Sequence, residues 1–152
     1  MRKALFVLGR AMFGGFFVYN GVNHFKNQEM MSGYAASKGV AAPDIAVLGS
    51  GAMLLAGGTS VLLGFRPRLG LATLIAFLIP TSLQMHGFWE VDDPQQQMNE
   101  MVNFMKNMAL VGAALTMMHL PDRWPVSVED ETGSDHVTYP RLAPSDLRAL
   151  PA

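Results

Sequence analysis

The fold is decided by residues 44–65, which read DIAVLGSGAMLLAGGTSVLLGF and carry no charged side chain after Asp44. A second stretch, LGLATLIAFLIPTSLQMHGFW at residues 69–89, has no formal charge at all. The hydrocarbon core of a bilayer is about 30 Å thick and needs roughly 20 apolar residues in a helix. Both stretches reach that length and are apolar on all sides, which a small water-soluble domain cannot bury. They therefore predict membrane-spanning helices.

Two further segments are long enough to cross a membrane. Residues 4–24 are interrupted only by Arg10, and residues 101–120 contain Lys106 as their one charged residue. Together with the two charge-free stretches, they predict an all-α fold in the form of a four-helix transmembrane bundle. The lipid bilayer is therefore the expected surrounding of all four helices.

The chain is expected to form one transmembrane domain over residues 1–120, followed by a flexible tail over residues 121–152. The tail is polar, rich in Pro, Asp and Glu, and has too few apolar residues to form a core. The polar connection between the first two spanning helices also predicts a short interfacial helix near residues 30–36.

The basic residues near the helix ends predict the orientation of the bundle, because Lys and Arg are enriched in cytoplasmic connections. Basic residues precede the first helix, occupy the second connection and follow the fourth helix: Arg2, Lys3, Arg66, Arg68 and Arg123. The third connection is acidic, with no basic residue before Lys106. Both the N- and C-termini are therefore expected to be cytoplasmic.

The composition excludes several classes of function. A net charge of −1 argues against nucleic acid as a partner, because phosphate binding requires a basic surface. The chain has no cysteine, which excludes disulfides, thiol catalysis and cysteine-ligated metal centres. A redox role must therefore use a bound cofactor or substrate. The 12 methionines are interpreted as packing residues, and no metal site is predicted.

Polar side chains from three helices are predicted to converge at one depth. The first and third helices end on the outer side of the membrane, where the fourth begins. Residues four apart on a helix share a face. The candidate ligand-binding site consists of the polar residues near these three helix ends: Asn20, His24, Ser82, His86, Asn103, Lys106 and Asn107.

Each of these residues also has a purely structural interpretation. Lys106 lies about one turn inside the fourth helix, so its side chain could extend to the membrane interface. His24 and His86 could form hydrogen bonds near the lipid headgroups. Polar groups inside a membrane are nevertheless site candidates by default. Their shared depth favours the interpretation as a binding site.

Four motifs follow one another along the helices. They are R-x3-G-x2-F-x3-G-x2-H-F from Arg10 to Phe25, GG-x5-G-x-R-P-R from Gly57 to Arg68, His86-Gly87-Phe88, and K-N-x3-V-G-A-A-L from Lys106 to Leu115. With these four motifs in this order, the chain resembles the DoxX-like family of small bacterial membrane proteins, which includes the small subunit of thiosulfate:quinone oxidoreductase. The resemblance covers residues 1–120.

The resemblance implies a multi-pass protein of the bacterial inner membrane. It also implies a link to quinone, catechol or sulfur redox metabolism, or to the response to oxidative stress. Many members of that family carry an acidic residue in the second helix, upstream of the paired glycines. This chain has Met53 and Leu54 there, so a site built on that acid is not carried over.

The leading hypothesis is a membrane component of a quinone-linked oxidoreductase that binds a quinone or a small phenolic compound. Such a ligand is a flat apolar ring whose oxygens need polar partners, such as His, Lys or Asn, within an apolar pocket. The aromatic surface against the ring is expected from residues near the same helix ends: Phe25, Phe88, Trp89 and Phe104.

Other functions stay open at this point. The chain could be a non-catalytic membrane subunit that anchors or recruits a partner oxidoreductase, and a homo-oligomer is a further assembly to consider. Haem bound by His24 and His86 is less favoured, because both histidines lie near helix ends rather than deep in the bundle. A small-solute transporter is also less favoured, because four helices are few for alternating access and no internal repeat is evident.

Overall fold

A computed structural model describes residues 2–120 and 124–128. This part of the chain is helical, and its elements in chain order are α1 (Arg2–Lys26), α2 (Gln28–Ser37), α3 (Pro43–Leu63), α4 (Pro67–Met85), a 3-10 turn (Phe88–Glu90) and α5 (Pro94–Met118). The described residues contain no strand, which confirms the predicted all-α class.

Four of the helices, α1, α3, α4 and α5, are long and apolar enough to cross a membrane. Large apolar side chains on these helices point away from the protein, and several are more exposed than buried: Leu5, Met12, Ile45, Leu69 and Met105. Such side chains need a non-aqueous surrounding over the whole length of the helices. The chain is therefore a multi-pass membrane protein, as the charge-free stretches predicted.

Prolines and capping residues determine where the helices begin and end. Pro43, Pro67 and Pro94 each occupy the start of a helix, where the missing N–H of proline has no cost. The α5 helix begins at Pro94, well before residue 101, because the side chain of Asp93 accepts a hydrogen bond from the Gln96 N–H at 2.8 Å. Glu90–Glu100 was expected to be a connection, whereas residues from Pro94 onward are helical.

Glycines let the spanning helices approach each other closely. A Cβ atom at Gly58 in α3 would lie 3.0 Å from the carbonyl oxygen of Gly14 in α1, and one at Gly21 would lie 3.0 Å from the carbonyl oxygen of Gly51. Gly57 makes a similar approach to the backbone of α4. Within lipid the hydrophobic effect does not drive helices together, and close packing at small residues stabilises their association instead. These contacts hold α3 between α1 and α4, and α5 packs against α4.

The end of the bundle where α1 begins is closed by Trp124–Val128. The guanidinium of Arg10 donates hydrogen bonds to the carbonyl oxygens of Pro125 at 3.1 Å and Val126 at 2.6 Å. The ring of Trp124 is buried and meets Phe6 edge-on, with 5.3 Å between ring centroids. These five residues, which belong to the segment predicted as a flexible tail, thus pack on the helices. Residues 121–123 and 129–152 of that segment lie outside the described residues.

The opposite end of the bundle is called the pocket end. There α1 and α4 end, α5 begins, and the short helix α2 crosses the connection from α1 to α3. The α2 helix lies where the sequence predicted an interfacial helix. The orientation of this end relative to the cytoplasm stays a prediction from the basic residues.

Candidate ligand-binding pocket

A cavity of about 1010 Å³ opens at the pocket end and is lined by residues from all five helices. Most of its wall is apolar and lies one to three turns back from the helix ends, where the lining includes Phe16, Phe17, Leu54, Phe77 and Leu78. The α2 helix contributes Met30, Met31, Tyr34 and Ala35. The volume lies at the upper end of the range of about 300–1,000 Å³ found for small-molecule sites.

Five of the seven residues predicted as a site line this cavity: Asn20, His24, His86, Lys106 and Asn107. Ser82 is fully buried beside it and donates its hydroxyl proton to the carbonyl oxygen of Leu78 at 2.6 Å, so its polarity is satisfied within its own helix. Asn103 touches the site indirectly, because its side-chain oxygen accepts a hydrogen bond from Lys106 Nζ at 3.0 Å.

His24 is held on α1 by the backbone one turn before it. Its Nδ1 lies 2.8 Å from the carbonyl oxygen of Asn20. A carbonyl oxygen only accepts, so Nδ1 carries a proton and donates it. In the neutral ring Nε2 is then a hydrogen-bond acceptor. The ring also meets Phe77 edge-on, with centroids 6.1 Å apart, which fixes it against the aromatic wall of the pocket.

His86 directly follows the last residue of α4. Its backbone N–H donates to the carbonyl oxygen of Ser82 at 3.1 Å, which fixes the start of its side chain. Its Nδ1 lies 2.8 Å from Oε2 of Glu100 in α5. The two histidines of the pocket thus share one arrangement, in which Nδ1 binds an oxygen of the protein.

Glu100 joins three elements at the pocket end. Its Oε1 accepts hydrogen bonds from Tyr34 Oη and from Lys38 Nζ, each at 3.0 Å, while Oε2 faces His86. Its side chain is only 8% exposed, and Glu100 is the one buried carboxylate among the described residues. Burial of a carboxylate is costly unless it is paired and hydrogen-bonded, and this carboxylate is both.

The contacts with Glu100 change the titration of its two donors, Tyr34 on α2 and Lys38 directly after that helix. Burial and the hydrogen bond to Glu100 raise the pKa of the Tyr34 hydroxyl above its usual value. The hydrogen bond to Glu100 is the largest cause of the raised pKa of the Lys38 ammonium group. Both groups therefore keep their protons throughout the neutral range and continue to donate to the carboxylate.

Sequence reasoning did not select Glu100, Tyr34 or Lys38, because Glu100 was placed in a loop. A signal was nevertheless present. Asp93-Pro94 is a typical helix start. In a helix that begins there, four residues separated by seven, four and three positions share one face. Those four are the buried residues of α5: Glu100, Asn107, Val111 and Ala114.

The prediction of the aromatic surface was wrong. Phe25, Phe88, Trp89 and Phe104 are absent from the described lining of the pocket. Three of them instead pack edge-on against one another, with ring centroids 5.1 to 5.7 Å apart. Phe16, Phe17 and Phe77 provide the aromatic wall in their place. The sequence indicated which helix ends these rings lie near, but not the direction in which each ring points.

Lys106 stands at the edge of the pocket and is exposed along part of its length. Its ammonium group has three donors, of which one is used by Asn103. Next to it in sequence, Asn107 is buried and lines the cavity. The pocket thus offers an ammonium donor, two histidines and three amide side chains, those of Asn20, Gln84 and Asn107, in a mostly apolar space.

Comparison with known proteins gives one finding. The model of the DoxX family matches residues 5–87, which include most of α1, all of α2, α3 and α4, and His86. The match spans more than half of the chain. Comparison with curated proteins and with solved structures gave no match.

Proposed function

The chain belongs to the DoxX family, and from this premise and the geometry of the pocket we propose that it binds a quinone or a small phenolic compound within the membrane. We further propose the bacterial inner membrane as its location, with both termini cytoplasmic. The single observation that carries the proposal is an apolar cavity of about 1010 Å³ with His24, His86 and Lys106 gathered at one end.

The shape and polarity of the pocket fit a ring that carries oxygen atoms. Phe16, Phe17 and Phe77 offer aromatic surface, against which a flat ring gains contact area. The polar side chains then meet the oxygens at the pocket end. A site with a mainly apolar wall and a few placed polar groups orients a small ligand without holding it by charge alone.

Lys106 is proposed as a donor to a ligand oxygen. An ammonium group at this depth is costly in contact with lipid, so a bound oxygen lowers its energy. His24 and His86 are proposed as the partners of the ligand on the other side, through their Nε2 atoms. A neutral imidazole can take up a proton near physiological pH, which suits a ligand that exchanges protons when it is oxidised or reduced.

Substitution of Lys106 provides the first test. Lys106→Met keeps most of the side chain's length and removes its donors. We expect the affinity for an alkylated phenol to fall by about tenfold, the usual effect of losing a hydrogen bond to a charged group. The protein is reconstituted in lipid nanodiscs, and binding is measured by equilibrium dialysis against empty nanodiscs. Lys26→Met, an exposed lysine at the same end, is the matched control.

A second pair of variants tests the histidines in the same assay. His86→Ala should weaken binding to a similar extent, while His119→Ala should leave it unchanged, because His119 lies at the far end of α5 and binds the carbonyl oxygen of Leu115. Wild-type affinity in both Lys106→Met and His86→Ala would refute ligand binding at this end. A role as a membrane subunit for a partner enzyme would then be the better account.

A further inference from the structure

We infer that the pocket selects a ring that carries a free hydroxyl group, a phenol or a hydroquinone, over the corresponding quinone or ether. This inference rests on the proposed function and narrows it to one class of ligand. Its basis is that both pocket histidines have their Nδ1 protons engaged by the protein, so that each neutral ring presents an acceptor.

For His86, the engaged group is Glu100. The carboxylate oxygen Oε2 accepts from Nδ1 at 2.8 Å, which fixes the proton on that nitrogen. The charge of Glu100 is already balanced by Lys38, whose Nζ lies 3.0 Å from Oε1. The carboxylate therefore does not require a positively charged His86. A neutral His86 has a bare Nε2, which can accept a hydrogen bond and cannot donate one.

For His24, the engaged group is part of the backbone. The carbonyl oxygen of Asn20 accepts from Nδ1 at 2.8 Å. No change of rotamer at Asn20 can alter this, since the acceptor belongs to the main chain. The pocket therefore contains two imidazole acceptors at the polar end, and each is set by a contact between Nδ1 and an oxygen of the protein.

A hydroxyl group satisfies this arrangement better than a carbonyl or an ether oxygen. It donates its proton to an imidazole Nε2 and accepts a hydrogen bond from Lys106 Nζ with its lone pairs. A quinone carbonyl accepts from Lys106 and leaves both Nε2 atoms without a donor. A buried site built to bind a hydroxyl group discriminates strongly against an analogue that lacks it, because its own polar groups are then unpaired.

The first experiment compares a 4-alkylphenol with its methyl ether in wild-type protein. Both are measured in nanodiscs by equilibrium dialysis at about pH 8, where imidazoles are ordinarily neutral. A phenol with one extra ring methyl group has the same formula as the ether and controls for size. We expect both phenols to bind at least about tenfold more tightly than the ether. Equal affinity for the phenols and the ether overturns the inference.

The second experiment moves the proton of His86 from one ring nitrogen to the other, with a substitution at residue 100 that nearly keeps the shape of the side chain. In Glu100→Gln the amide oxygen is expected to stay with the two donors Tyr34 and Lys38, which turns the amide NH2 toward His86 Nδ1. The proton of His86 then moves to Nε2, which becomes a donor. The preference for phenol over ether should fall to about threefold or less, because Nε2–H of His86 can then donate to the ether oxygen, and His24 is the one pocket imidazole that still accepts.

The matched control is Glu90→Gln, which removes the same charge from an exposed residue near the same end. It should keep the wild-type preference. A wild-type preference in folded Glu100→Gln, checked by its thermal unfolding, contradicts the role given to Glu100. If Glu100→Gln does not fold, the comparison of phenol and ether in wild-type protein decides the inference alone.

These outcomes separate the inference from the proposed function. Binding of the phenols and the ether with equal affinity, lost in Lys106→Met, would keep the proposed function and remove the selectivity. No binding of any of the three above the level of empty nanodiscs would refute both.

Discussion

The two ends of the bundle each bury a charged side chain, but they satisfy it in different ways. At one end Arg10 donates to the backbone carbonyl oxygens of residues 125 and 126, so its guanidinium forms hydrogen bonds within the protein. At the other end Glu100 binds side chains from α2 and from the end of α4. One of these, His86, also lines the cavity.

This difference separates a structural polar group from a candidate functional one. A buried charge with all its partners in the backbone stabilises the fold and has little capacity left for a ligand. A buried charge that holds a second, pocket-facing side chain acts on the ligand through that side chain. Depth in the membrane alone does not make this distinction, because both Arg10 and Glu100 lie within spanning helices.

Loss of the guanidinium at position 10 should give the largest effect on stability. Arg10→Leu removes two hydrogen bonds and leaves the carbonyl oxygens of Pro125 and Val126 without their donor. We expect the free energy of unfolding to fall by about 3 kcal/mol, with unchanged affinity for phenol in the molecules that remain folded. Unfolding by a denaturing detergent measures the first quantity. Lys3→Leu, an exposed cation at the same end, should have little effect.

Weakening of phenol binding by Arg10→Leu as strong as that by His86→Ala would contradict the assignment of Arg10 to the fold alone. It would mean that the two ends are coupled, and that the segment at residues 124–128 also controls the pocket.

Removal of the carboxylate should combine a smaller loss of stability with a change in binding. Glu100→Ala leaves Lys38 without its ion pair and His86 without its acceptor. Because Lys38 is partly exposed, water can replace part of the interaction, and we expect a loss of about 1 to 2 kcal/mol. Phenol affinity should fall as well, since the ring of His86 is no longer held. Unchanged affinity with reduced stability would assign Glu100 to the fold alone.

The smallest expected effect concerns Tyr34, which is only partly buried. Tyr34→Phe removes one of the two donors to Oε1 and should cost about 0.5 kcal/mol at neutral pH. The raised pKa values of Tyr34 and Lys38 set the sign of the pH dependence. The stabilisation that Tyr34 and Lys38 each provide is complete below about pH 10, near the ordinary pKa of these groups. It is lost as the pH rises through their pKa values in the folded protein.

Thermal unfolding of wild type and Tyr34→Phe between neutral and strongly alkaline pH checks this prediction. The difference between the two proteins should be constant up to about pH 10 and shrink above it. A difference that grows with increasing pH would contradict the contact between Tyr34 and Glu100.

The spanning helices could be predicted from sequence because their signal is local. A charge-free run such as residues 45–65 is sufficient by itself to require lipid. The start of α5 was harder to predict, because this helix begins at its capping residues, Asp93 and Pro94, rather than where the sequence becomes apolar. The shared depth of His24, His86 and Lys106 followed from helix direction, and all three line the same cavity.

Features that depend on rotation about the helix axes were not predictable in this way. Phe88, Trp89 and Phe104 pack against one another and are absent from the described lining of the pocket. The pairing of Lys38 with Glu100 joins residues far apart in the chain, and it requires the end of α2 to bring Lys38 within reach of α5. No local pattern specifies such a contact, because it results from the packing of several elements.

Nitrogen NMR of histidine side chains reports directly which ring nitrogen of His86 carries the proton and whether the pocket histidines contact a phenol. Protein labelled with 15N in its imidazole rings is placed in nanodiscs at about pH 8, and resonances are assigned with the His24→Gln, His86→Gln and His119→Gln variants. We expect Nδ1 of His86 to carry the proton, and an alkylphenol to shift the Nε2 resonances of His24 and His86 but not that of His119. Protonation of His86 on Nε2, or no response of either pocket histidine to the phenol, would contradict it.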